Sequence, residues 1–441
     1  MLTLKSMRSL VAASVVSSIF LAQESYAILR FGCSQLVTQR FDPLVTPGQV
    51  APHVHQIIGG VSLPFAIKPE TDDDSLNRTR TPRCPSHTKI DKPLNICTRF
   101  NLTMDPSLDL PTLSTCTTCR FKEDLSNYWT AVMYFKHDNG SFVRVPQIAN
   151  HYIGGPQGGM TIYYIQPPGI GAEGKVTSFP KGFRMIVGDP MLRTRQSHPK
   201  LAPHEPLDLT SPEAYALSFR CWETGDFFGP NNSFAPGAGP YDTVGLPPKR
   251  CPKGIRANIY FPSCWDGVNL DMPDHHSHVA FMQGKVDPSR SIFFFNGTCP
   301  STHPVRIPML FYETYWDTEI FKDVWPTDGR QPLVLSMGDP TGFGQHGDYI
   351  FGWEGDSLQR AMDNCHDGFG WPEACPELTI LSDEEINKCV QRPRVDEVVE
   401  GGYIKELPGC NPVQEGPGTA TMVPGCTAIS TTAVVGPTPG L

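Results

Sequence analysis

Ile255-Arg-Ala-Asn-Ile-Tyr-Phe261 alternates so that Ile255, Ala257, Ile259 and Phe261 share one face. Tyr215-Ala-Leu-Ser-Phe-Arg-Cys221 does the same with Tyr215, Leu217, Phe219 and Cys221. Successive side chains of a strand leave opposite faces of the pleat, so a period of two marks a half-buried β-strand. Tyr128–Phe135, Thr161–Gln166, Phe183–Val187, Val279–Met282, Ser291–Phe295, Met309–Tyr315 and Leu333–Ser336 are further strand candidates. Proline and glycine, 44 and 40 of 441 residues, punctuate them. That proportion argues against a helix bundle or coiled coil.

Helix signals are few and late. Asp356 is placed to cap Ser357–Asn364, and Ser382-Asp-Glu-Glu385 has the form of a capping box. The expected fold is therefore mainly β: an antiparallel β-sandwich or jelly-roll-like arrangement with long loops and a few short helices near the C-terminus.

Residues 1–27 read as a secretory signal peptide. Lys5 and Arg8 precede the apolar run Ser9–Ala22, and Ser25-Tyr26-Ala27 offers small residues for cleavage. The run is too short to span a bilayer comfortably, and no later stretch is long and apolar enough to do so. All 14 cysteines lie beyond the cleavage point, an even number suited to disulfides in an oxidising compartment. Cys116-x-x-Cys119 keeps a redox or zinc alternative open. Sequons at Asn77, Asn101, Asn139, Asn231 and Asn296 fit a secreted glycoprotein. Residues 28–410 read as one large β-rich domain with a cysteine-bearing C-terminal extension. Residues 411–441, rich in Thr, Pro and Gly, read as a flexible tail. The expected location is extracellular, in association with a cell wall. A net charge of −9 with scattered Lys and Arg excludes nucleic acid as a natural partner.

The candidate chemistry lies in three histidine groups. In His53-Val-His55, an extended backbone puts both imidazoles on one side. In Asp274-His-His-Ser-His278, Asp274, His276 and His278 share a face. His346 lies in Gly344-Gln-His-Gly-Asp348, whose glycines predict a tight loop, shortly after Asp339. Such groups suit a metal, general acid–base work, or hydrogen bonds to sugar hydroxyls. They are expected to converge on one cleft, with Asp339 or Asp348 orienting an imidazole. Neither a metal nor a cofactor is fixed by the sequence. A copper site built on an N-terminal histidine does not fit, since the mature chain would begin at Ile28. Trp265, Tyr312, Trp316 and Trp353, among many carboxylates, are candidates to stack on sugar faces; taken singly, each suits the core equally well. Gly342-Phe-Gly-Gln-His-Gly347 has dinucleotide-loop spacing, but Pro340 precedes it and an extended segment follows. No G-x-S-x-G, H-E-x-x-H or P-loop occurs.

Longer motifs carry a resemblance. Arg40-Phe-Asp-Pro-Leu-Val-Thr-Pro-Gly48, His53-Val-His-Gln-Ile-Ile-Gly-Gly60, Phe261-Pro-Ser-Cys-Trp-Asp-Gly-Val-Asn-Leu270, Pro273-Asp-His-His-Ser-His278, Cys299-Pro-Ser-Thr-His-Pro304 and Gly344-Gln-His-Gly-Asp-Tyr349 occur in this order. The chain thereby resembles, over roughly residues 30–365, the secreted fungal and bacterial proteins named only as the Domain of Unknown Function nineteen-ninety-six. The resemblance implies a secreted, cell-wall-associated protein and places the histidine groups in the family's most recognisable blocks. It supplies no reaction. The leading expectation is a carbohydrate-active hydrolase or lyase on a cell-wall polysaccharide. The alternatives are a non-catalytic wall- or glycan-binding protein and a secreted metal-binding factor. The sequence leaves the oligomeric state open.

Overall fold

The two alternating segments are neighbours. Leu217–Cys221 pairs antiparallel with Ile255–Tyr260, Phe219 opposite Ala257. The computed structural model describes residues 28–47, 49–61, 110–148, 155–166, 175–194, 216–225, 242–284 and 297–423. Within them the first sheet runs Ile28–Cys33, Met160–Ile165, Met309–Trp316, Ile255–Tyr260, Leu217–Cys221, Asp242–Thr243, with Gln147–Ile148 beside Met309–Trp316. The second runs Arg184–Gly188, His346–Ile350, Asn127–Ala131, His55–Val61, Val37–Gln39, with Cys116–Thr117 beside His55–Val61. Every strand pairing among the described residues of these two sheets is antiparallel. The protein is mainly β and sandwich-like.

The inner faces meet in one core. Leu29, Phe31, Ile162, Tyr164, Ile259, Leu310 and Tyr312 of the first sheet pack with Ile58, Tyr128, Met185, Val187 and Tyr349 of the second. Burial of this apolar area is the main stabilising term. Its polar atoms are paired. Tyr128 Oη donates to Asp124 at 2.6 Å and lies 2.8 Å from Tyr164 Oη. Tyr164 Oη lies 2.9 Å from Tyr349 Oη and accepts from Trp353 Nε1 at 2.9 Å. Gly347 lets the sheets approach closely: a Cβ there would stand 2.8 Å from Ile259 Cγ2 and 3.1 Å from Phe261. The glycine sits in the strand His346–Ile350, where a loop was expected. It is there to let the sheets meet.

Ser357–Asn364 and Asp383–Lys388 are helices, and Ser382 and Glu385 form the reciprocal cap. Asp356 does not cap through its side chain; it pairs with Arg360 instead. A short helix, Leu110–Leu113, lies far from the C-terminus. Disulfides join Cys33–Cys119, Cys116–Cys389, Cys221–Cys251, Cys264–Cys299 and Cys365–Cys375, and no described cysteine is free. Cys116 and Cys119 thus serve separate bridges, which removes the redox and zinc alternatives for that pair. Residues 411–423, expected as part of a flexible tail, are fastened: Gln414 N donates to the Gly338 carbonyl and Ala420 N to that of Met191. No helix among the described residues is long and apolar enough to cross a membrane. Asn139 is exposed. The signal segment 1–27, the strand candidate Ser291–Phe295 and the sequons at Asn77, Asn101, Asn231 and Asn296 lie outside the described residues.

Candidate metal centre

The second sheet has an outer face, and the histidines stand on it. Register places His55 beside Ala131 and His346 beside Gly188. Gly347 pairs with Thr130, so by the same register His346 stands on the other side of Ala131. Two strands apart means about 9–10 Å between backbones. Long imidazoles bridge that gap over the single methyl of Ala131. Gly188 leaves room on the far side, since a Cβ there would be 2.9 Å from His346 Cα. His53, just before its strand, reaches the same point: its ring centroid is 4.3 Å from that of His55 and 5.0 Å from that of His346.

The ring nitrogens converge. His346 Nε2 lies 3.1 Å from His53 Nε2 and 3.2 Å from His55 Nε2. One nitrogen from each ring falls in a single group spanning less than 4.8 Å. All three residues are buried. His55 Nδ1 lies 2.9 Å from the Phe41 carbonyl oxygen, and His346 Nδ1 lies 2.9 Å from that of Gly344. A carbonyl only accepts, so both Nδ1 atoms carry the proton. In the neutral rings both Nε2 atoms then present lone pairs. Burial, which disfavours the charged form, holds His55 and His346 down to about 4 and His53 well below its usual value. The rings are neutral at pH 7.

The carbonyls that set these tautomers are themselves held. Arg40, next to Phe41, pairs with buried Glu397 at 2.6 Å and donates to the Ala51 carbonyl. Asp339 accepts from Gly344 N at 2.7 Å and from Thr341 N and Oγ1, with Arg193 Nε 3.7 Å away. It touches no imidazole; it fixes the Gly344 peptide whose carbonyl fixes His346. Asp348 shares the strand face of His346, two residues on, and is fully buried. Neither of its carboxylate oxygens has a partner among the described residues. Burial and the charge of Asp42 push its carboxyl well above the usual range.

The other expected members lie elsewhere. Asp274 and His276 sit exposed on a turn, where Asp274 accepts from His276 N and Ser277 N. His275, at φ +57°, breaks the extended backbone that shared orientation requires. His278 is buried beside Phe183, its Nε2 2.8 Å from the Arg184 carbonyl oxygen. Tyr312, Trp316 and Trp353 are interior, and half-buried Trp265 donates to the Asn269 carbonyl. They offer no open stacking surface. Ala131, Gly188, Asp42 and the Phe41 carbonyl belong to the site and were not singled out. The motif beginning at Arg40 was the available signal for Phe41 and Asp42. Ala131 and Gly188 have none, because only strand register brings them in.

A family model described as "Domain of unknown function (DUF1996)" matches residues 97–353, more than half of the chain. The matched span contains His346, Asp348 and Ala131, while His53 and His55 precede it. No curated protein and no solved structure matches.

Proposed function

The chain belongs to the DUF1996 family, and from the geometry of its histidine cluster we propose that it is a secreted metal-binding protein holding one divalent transition ion on His53, His55 and His346. One observation carries the reading: the bare Nε2 lone pairs of His55 and His346 lie 3.2 Å apart in a buried site. Two acceptors at that distance repel. A proton on His53 Nε2 satisfies His346 but leaves the His55 contact unpaired. A single cation satisfies all three. Two nitrogens bound at about 2.0–2.1 Å to one tetrahedral ion stand roughly 3.3–3.4 Å apart, close to the 3.1 and 3.2 Å found. Three neutral imidazoles suit zinc or copper above magnesium or calcium. The backbone acceptors behind His55 and His346 are the outer hydrogen bonds that such ligands require. The disulfides are compatible with secretion.

Titration of the chelator-stripped protein with Zn²⁺ or Cu²⁺, followed by metal analysis, tests this. One tightly held equivalent is expected, lost in His346→Ala and His55→Ala. Uptake below a tenth of an equivalent, or uptake unchanged in both variants, contradicts it. The polysaccharide reading has no comparable support in the site, because Tyr312, Trp316 and Trp353 are core residues.

A further inference from the structure

The three imidazoles meet at one point on the outer face of the second sheet. His55 and His346 close on it from either side of Ala131, and His53 arrives from the residues before His55. The next row along the same face is Ile57, Trp129 and Asp348: Ile57 pairs with Trp129, and Trp129 with Asp348. No histidine stands there. Two fully buried polar groups do, and neither has a partner among the described residues. They are both carboxylate oxygens of Asp348 and the indole Nε1 of Trp129. One acceptor and one donor, directly opposite each other in register, are each left unpaired in an interior where that costs roughly 1–3 kcal/mol per group. A cavity of about 60 Å³ touches Ile57 and Trp129 of this row, without Asp348 or the three histidines in its lining.

We propose that this row binds the ion's fourth ligand, a water molecule or another small oxygen or nitrogen ligand, which donates a hydrogen bond to Asp348 and accepts one from Trp129 Nε1. The centre is then of the open kind, with three protein ligands and one exchangeable position, rather than a closed structural site. Asp348, whose Cα is about 6–7 Å from that of His346 along the strand, reaches the ion through that ligand and does not bind it directly. The inference rests on the metal reading above and goes beyond it.

Whole secreted protein loaded with Cu²⁺ and titrated with azide tests it by the ligand-to-metal charge-transfer band. Saturable one-to-one binding is expected in the wild type. Asp348→Asn, with full copper content, should shift azide affinity by about tenfold, because the carboxyl that contacts the exchangeable ligand is replaced. Trp129→Phe should bind it more weakly through loss of the donor. It is the second variant should Asp348→Asn fail to fold. A fully copper-loaded protein that gives no azide band overturns the open position. Asp348→Asn and Trp129→Phe both matching the wild type overturn the roles given to this row. Failure to load copper at all overturns the metal reading and this inference together.

Discussion

The strand His346–Ile350 shows two faces with opposite polar bookkeeping. On the inner face, Tyr349 joins Tyr128, Tyr164, Asp124 and Trp353 in a chain of hydrogen bonds between 2.6 and 2.9 Å. On the outer face, two residue positions carry bare imidazole nitrogens at 3.2 Å and a carboxylate with no partner. Both faces are buried and both are polar. The inner network is complete within the chain, as a structural network must be. The outer one is incomplete among the described residues, and we propose that a cation and a small ligand complete it. Burial or perturbed acidity alone does not separate the two faces of this strand; the partners each finds among the described residues do.

The outer histidines and the inner Asp124 should respond to pH in opposite directions. His55 and His346 titrate near 4 when folded and near 6.5 when unfolded. Between those values the unfolded metal-free chain binds protons that the folded one refuses. Stability is therefore lost as pH falls from about 6.5 to about 4, by up to roughly 3 kcal/mol per histidine and about 6 for the pair. Denaturant melts of metal-free protein should show this acid limb, and His346→Gln should shallow it. An unchanged limb would remove the unprotonated cluster.

Asp124 behaves in the reverse sense. Burial raises it to about 7, against about 3.9 unfolded. The folded chain holds a proton there that the unfolded chain releases, so stability is lost as pH rises from about 3.9 to about 7, by on the order of 4 kcal/mol. Asp124→Asn, compared with the wild type across that range, should flatten this limb and leave metal uptake unchanged. An altered metal stoichiometry would show that the faces are not independent.

Metal itself sharpens the contrast. At a free ion concentration about a hundred times Kd, stability should rise by about 2.7 kcal/mol. The gain should vanish in His346→Ala and survive in Tyr128→Phe. The smallest effect belongs to that last variant. It strips one hydroxyl from a complete network and should cost about 1–3 kcal/mol, measured as a shift in the denaturation midpoint without loss of metal. A gain that persists in His346→Ala would place the ion elsewhere.

The sandwich was legible because alternation in Ile255–Phe261 and its kin follows directly from a half-buried pleat. The pair His53 and His55 was legible for the same reason. His276 and His278 were not, since the period-two argument presumes extended backbone and His275 adopts a left-handed turn. Glycines around His346 suggested a loop because glycine signals freedom in sequence; in the fold Gly347 signals proximity between sheets. The acceptors on Phe41 and Gly344 are backbone atoms, which carry no residue signature. Ala131 matters only through what stands on either side of it. The aromatic residues offered for stacking were indistinguishable by type from core residues, and the core took most of them.

X-ray absorption at the metal edge of the reloaded protein addresses the central claim most directly. Three imidazole nitrogens at about 2.0–2.1 Å and one further light ligand are expected, with the imidazole signal reduced in His55→Ala. A protein that takes up no ion after reloading, or an ion whose shell contains no imidazole nitrogen, would contradict it.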